Sequence, residues 1–252
     1  VNYNWHWKVL LETEPGGTGT YLHYLIVGLG WTLATALAAW VIALAIGALV
    51  GTLRTTPMKW VVRLGNLYVE IFRNVPLIVQ MFLWFFVVPE FLPQAAGDAI
   101  KQMPPPWSSY VPAVLCLGIF TSVRVAEQVK AGIMSLPRGQ GMAGIAMGLT
   151  QAQTYRTVIL PQSFRIILPP LTSEFMNVIK NSSVALTIGL LELTGRARAM
   201  QEFSFRVFEA FTAATVIYLL TNLVVVLAMR ALERKVRVPG LIAVGGAPQA
   251  GH

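Results

Sequence analysis

The stretch Tyr21–Leu53, YLHYLIVGLGWTLATALAAWVIALAIGALVGTL, decides the fold class. From Pro15 to Leu53 no residue carries a fixed charge. A helix crosses the hydrocarbon core of a bilayer with about 20 apolar residues, so this run is long enough to span and has no polar face with which to sit on a soluble core.

Four further segments extend the reading. A second runs over about 66–88, with Glu70 and Arg73 near its start and Pro76 after them. A third, about 109–134, follows the turn-rich Met103-Pro104-Pro105-Pro106. A fourth, about 166–191, contains Pro169-Pro170, where a kink is expected. The fifth, about 210–229, is uncharged throughout. Composition agrees: of 252 residues 55% are hydrophobic and 12% charged, half the roughly 25% of a soluble domain, and the mean hydropathy is +0.62. Trp5, Trp7, Trp31, Trp60 and Trp107 fall mostly near the segment ends, as interfacial aromatics do. The fold expected is an all-α integral membrane domain with five transmembrane helices over 21–235. A short segment (1–20) precedes it and a tail (236–252) follows.

The net charge of +8 resides in short loops between apolar runs. That is a topology signal rather than a nucleic-acid footprint, and no nucleic-acid partner is expected. One side collects Arg54, Lys59, Arg63, Arg138, Arg156, Arg165, Arg230, Arg234, Lys235 and Arg237 against the single acid Glu233. The other has Lys8, Lys101, Arg196, Arg198 and Arg206 with seven acids, among them Glu192 and Glu209. The excess places the N-terminus outside and the C-terminus in the cytoplasm. Residues 1–19 lack the apolar core of a cleavable signal peptide. The Gly/Ala-rich Gly240–His252 has nothing to bury, and disorder is expected there. Cys116 is the only cysteine, in an apolar run where a buried inert thiol is the default. No disulfide or cysteine-based metal site can form, and His6, His23 and His252 are too scattered for one. Gly47 and Gly51 form a GxxxG that lets helices approach closely, either within the chain or between chains.

About thirty residues separate Leu136 from Ile166, well above an ordinary connection. Leu136-Pro137-Arg138-Gly139-Gln140 breaks the third span, and Met142–Leu149 reads as a short helix. A Gly-Leu-Thr turn then leads to a second short helix, stopped by Pro161. Such an element on the cytoplasmic face could dock into a partner or lie on the membrane as an amphipathic loop.

These residues resemble the EAA loop of ABC importer permeases, a Glu-Ala-Ala, a glycine and an Ile-x-Leu-Pro ending at fixed spacing. The resemblance carries the first three positions onto Met142, Ala143 and Gly144, the glycine onto Gly148, and the ending onto Val158, Ile159, Leu160 and Pro161, with Gly139 and Gln140 leading in. Met142 replaces the glutamate and Gly144 an alanine, which removes any salt bridge the family makes there. Leu67–Leu77 and Ile179–Val184 are similar to signatures of the polar amino acid permeases, and within them most to glutamate/aspartate importers. The resemblance covers about Tyr21 to Gly240. It implies a cytoplasmic ABC ATPase dimer that binds ATP and Mg, a second, heterologous permease subunit, and a periplasmic amino acid-binding protein. The chain itself holds no Gly-Lys dipeptide, hence no P-loop, no cofactor and no enzyme activity of its own.

Ionisable residues at bilayer depth read as functional or paired. Arg124, Glu127 and Lys130 share one side of the third span, with Arg124 near the midplane. Arg124 either anchors a substrate carboxylate or pairs with Glu127. Polar amino acid permeases usually carry Tyr at this position, so a cation here suits an anionic cargo. Glu70 and Arg73 form an intrahelical pair or touch substrate. Glu174, Lys180, Asn181, Ser182 and Ser183 line the path or join helices by hydrogen bonds. A gradient-driven secondary transporter is the alternative class, but five spans do not divide into inverted halves and no internal repeat is visible. No HExxH or GxSxG supports a membrane enzyme.

Overall fold

The computed structural model describes residues 3–17 and 19–236; the expected disordered tail, from 237 onward, lies outside them. Among the described residues a 3-10 turn (Trp7–Leu11) precedes ten helices. These are α1 (Tyr21–Leu53), α2 (Lys59–Asn74), α3 (Leu77–Phe91), α4 (Gln94–Lys101), α5 (Trp107–Met134), α6 (Arg138–Ala146), α7 (Gln151–Thr154), α8 (Leu160–Asn181), α9 (Leu193–Ser204) and α10 (Val207–Val236). A π-turn (Tyr155–Ile159) joins α7 to α8, and a 3-10 turn (Ser182–Ile188) follows α8. Among the described residues the one isolated bridge of extended chain is Thr13 with Thr20.

The core is the packing of α1 on α5. From Gly28 onward the buried side of α1 is built of small residues, Gly28, Thr32, Thr35, Ala36, Ala39, Ala43, Gly47 and Gly51, while Leu37, Val41 and Leu49 point outward. A Cβ added at Gly47 would lie 2.5 Å from Val125 Cβ and 2.7 Å from Ser122 O; one at Gly51 would lie 2.7 Å from Ala126 O. The GxxxG therefore serves contact within the chain, backbone against backbone. Gly118 faces Ala39 and Ile42, so residue numbers rise together along the two helices and α1 and α5 run parallel. Parallel helices need a return stroke between them.

The return is broken. The sequence suggested one span over 66–88, but α2 and α3 meet at 100°. Pro76 lacks an N–H and drives Val75 into extended conformation (φ −101°, ψ 127°). The carbonyls freed at the end of α2 are taken by buried Gln80, whose Nε2 donates to Phe72 O and Val75 O at 2.8 and 3.0 Å.

Pro161 does not stop the second loop helix as expected. It sits in the first turn of α8, directly after the π-turn. A helical proline clashes with the carbonyl four residues earlier, here Thr157, and the wider π-turn makes room for it. The same device recurs in α3, where a π-turn over Leu83–Val87 precedes Pro89. Farther on, α8 continues through Pro169 and Pro170 as one element.

Three described helices, α1, α5 and α10, are long and apolar enough to cross a membrane, and the bent α2–α3 pair makes a fourth if counted as one crossing. The expected span 166–191 is instead α8 followed by the 3-10 turn and Gly189 at φ +86°. Cys116 is fully buried.

Candidate functional site

Two of the ion pairs, Arg54–Glu127 and Arg124–Glu174, join different helices, whereas Arg198–Glu202 pairs along α9. The last turn of α1 ends at Arg54, whose side chain is 5% exposed. Its Nε donates to Asn66 Oδ1 at 2.8 Å and its Nη2 to Glu127 Oε1 at 2.9 Å. One guanidinium thus joins α1 to α2 and α5. Gly65 makes room for its stem, since a Cβ there would lie 2.6 Å from Arg54 Cγ. Nη1 is buried and finds no partner among the described residues.

Glu127 is therefore not the partner of Arg124. Arg124, half exposed, reaches Glu174 on α8, Nη1 to Oε2 at 3.7 Å, and lies over the Phe120 ring at 5.6 Å. The Glu127 carboxylate is drawn to the cation that is buried, Arg54, because a guanidinium shut away from water gains most from pairing. Glu174 Oε2 is buried and accepts no hydrogen bond. The ion pair is a loose one, with one side of the arginine open.

Glu70 and Arg73 are both exposed, and no ion pair joins them among the described residues. On this exposed face water or a neighbour competes with a pair worth only tenths of a kcal/mol. Lys180 is exposed; Asn181 is half-buried. Ser182 and Ser183 donate to the carbonyls of Ile179 and Lys180 in their own helix, at 2.8 and 2.7 Å. They cap the end of α8 and do not join helices.

The loop residues form one small unit. Gly148, at φ +85°, ends α6 in a left-handed turn. Thr150 and Gln153 then close a reciprocal capping box at the start of α7. Gly144 is buried where a Cβ would lie 2.7 Å from Thr154 Cγ2, which accounts for glycine at the third motif position. Gly139, Met142, Ala143 and Pro161 are exposed; Gln140, Val158 and Leu160 are half-buried; and Ile159 is buried. Met142, Ile145 and Met147, 65%, 58% and 83% exposed, form an unpartnered apolar surface. Beneath them a cavity of about 410 Å³ is lined by residues including Ile133, Met134, Met142, Ile145 and Tyr155. The unit is tied back to α1 by Tyr155, whose hydroxyl donates to Thr55 O at 2.9 Å.

Sequence reasoning missed the opposite end. Glu192 and Glu209, counted there as loop acids, are fully buried. Glu192 caps α9 and takes hydrogen bonds from Thr32, Tyr218 and the backbone N–H groups of Thr194 and Gly195, at 2.8–3.2 Å. Glu209 accepts from Tyr3 and from His6 N, pinning the N-terminal segment to α10. The legible signal was an acid followed by Leu-Thr-Gly at the start of a helix. Among the described residues no cluster of three His, Cys, Asp or Glu is placed to hold a metal.

Residues 43–238 match the family described as "Binding-protein-dependent transport system inner membrane component". The chain is 47% identical over 241 residues to the glutamate/aspartate import permease protein GltJ of Escherichia coli (strain K12), covering 95% of this chain and 98% of that one. It is 32% identical over 215 residues to the glutamine transport system permease protein GlnP of the same organism, with coverage of 85% and 93%. Among solved structures, an amino acid ABC transporter with histidines aligns at TM-score 0.72 and 30% identity over 85% of this chain and 95% of the other. The MetNI methionine ABC transporter, at 20% identity and TM-score 0.71, shares the fold.

Proposed function

Because the chain belongs to the family of binding-protein-dependent inner-membrane transport components, and is a multi-pass inner-membrane permease subunit, we propose that it carries acidic amino acids inward at the expense of ATP hydrolysed elsewhere. The observation that carries this reading is the 47% identity, end to end, with a glutamate/aspartate import permease. In this reading the chain crosses five times, through α1, the bent α2–α3, α5, α8 and α10. Residues 1–20 lie outside, 21–235 form the transmembrane domain, and 236–252 are a cytoplasmic tail. The parallel course of α1 and α5 supports this path, since alternate crossings share a direction.

Loop 137–165 then faces the cytoplasm, and its exposed Met142, Ile145 and Met147 supply an apolar docking face for an ATPase subunit that binds ATP and Mg. Methionine in place of the family's glutamate makes this contact depend on packing rather than on a salt bridge. A second, heterologous permease completes the path, and a periplasmic binding protein delivers the cargo. Arg124 contacts the side-chain carboxylate of glutamate or aspartate: its open side and its loose hold on Glu174 leave a guanidinium fork available to a second carboxylate.

The test is reconstitution of this chain with its ATPase and neighbouring permease in liposomes, comparing binding-protein-dependent uptake of labelled glutamate, glutamine and histidine. ATP-dependent uptake of glutamate is expected, and Arg124→Gln lowers it in an assembled complex. Gradient-driven uptake without ATP would overturn the mechanism, and uptake confined to neutral or basic amino acids would overturn the cargo.

A further inference from the structure

We propose that Arg54 is a positioning residue of energy coupling, linking movement of loop 137–165 to α2 and α5 through the last turn of α1. The inference rests on the reading of that loop as the ATPase contact. The physical linkage is short and continuous. Tyr155, in the π-turn of the loop, donates its hydroxyl to Thr55 O at 2.9 Å, with Thr55 Oγ1 at 3.3 Å. The adjacent residue is Arg54, whose guanidinium grips Asn66 on α2 and Glu127 on α5. One turn before Glu127 on α5 stands Arg124. Asn66, in turn, lies on the helix that ends at the bend of Val75 and Pro76. A displacement of Tyr155 therefore acts within one residue on the group that fixes two other helices.

The manner of the grip separates a joint from a static staple. A guanidinium can hold a carboxylate with two parallel bonds, but Arg54 uses Nη2 alone, leaving Nη1 buried and without a partner among the described residues. A buried donor left unpaired is costly. Completing the fork on Glu127 would need α5 to shift against α1. The tie of Tyr155 to Thr55 places the loop one residue from this grip. Gly65 lets the stem lie close against α2: a Cβ there would lie 2.6 Å from Arg54 Cγ.

The experiment uses the full complex in liposomes and measures glutamate uptake and ATP hydrolysis together, for wild type, Arg54→Gln, Tyr155→Phe and the double variant, with assembly checked by size-exclusion chromatography. The quantity read is glutamate carried per ATP hydrolysed, which a loss of folded complex scales out. Each single variant is expected to lower it by about fivefold or more, the low end of ordinary coupling energies. The double variant should fall no further than the worse single one, because both cut one linkage. Tyr155→Phe removes one hydroxyl from the loop and keeps the inference testable if Arg54→Gln does not assemble. Uptake per ATP at the wild-type value in the variants overturns the inference, as does a double variant whose loss is the product of the two single losses. Absence of binding-protein-dependent uptake by the wild-type complex overturns the functional reading, and this inference with it.

Discussion

The two ends of the bundle treat their buried charges differently. Where α1 begins, Glu192 has its oxygens filled by four donors drawn from α1, α9 and α10. Where α1 ends, Arg54 leaves one nitrogen unmet, and Gln140 and Thr154 in the neighbouring loop each keep a buried oxygen without a partner. Saturated networks rigidify a structure, whereas a buried polar group left unpaired is costly to keep. The first end reads as a fixed frame, the second as the end built to rearrange.

The largest effect is expected at the frame. Glu192→Ala takes the acceptor from two hydroxyls and two N–H groups at once and should cost about 3 kcal/mol of stability, read as a lowered thermal midpoint in detergent. Glu192→Gln, which keeps an acceptor, should restore part of it. If Arg54→Gln costs as much as Glu192→Ala, the contrast between the ends is broken.

Next comes the seam that both ends share. Gly51→Val forces atoms into Ala126 O and Val129 and should cost about 2 kcal/mol, within the usual range for overpacking. A neutral result would mean that α1 and α5 separate more easily than their contact implies. Smaller again is Gly148→Ala, which puts a Cβ at φ +85° with nothing near it. It should cost about 1 kcal/mol by strain alone. Because the strain sits in the loop, it should reduce uptake per ATP more than it reduces the thermal midpoint. The smallest is Arg198→Ala. Its exposed pair with Glu202 should be worth less than about 0.5 kcal/mol, and a larger loss would show that the frame extends to the surface of α9.

Long uncharged runs made α1, α5 and α10 legible, because periodicity and length survive any packing. The bend at Val75–Pro76 was not, although Pro76 was visible. Whether a membrane proline kinks a helix or ends it depends on who takes the freed carbonyls, and Gln80 does so from five residues downstream of Val75. The loop was legible in outline through its glycine and its Thr150–Gln153 spacing, but not the π-turn that admits Pro161. Charge pairing was the least legible part. Spacing proposed Arg124 with Glu127 and Glu70 with Arg73; burial of Arg54 and Glu174, a property of the assembled bundle, redirected the first pair, and exposure left the second unformed. Gly47 and Gly51 had two open readings in the sequence, and the close approach of Val125 and Val129 chooses between them.

The π-turn at Tyr155–Ile159 also sets a phase. A π-turn takes one residue more than an α-turn, and each residue of an α-helix advances its side chain by about 100°. Every position of α8 is therefore rotated by about a quarter turn from where an uninterrupted helix starting at Gln151 would place it. Glu174, which faces Arg124, lies downstream of that extra residue. Deleting one residue between Tyr155 and Ile159 would leave the composition and length of the loop almost unchanged, yet would swing the glutamate away from the arginine. The address of a charge in this bundle is thus written some fifteen residues before the charge itself.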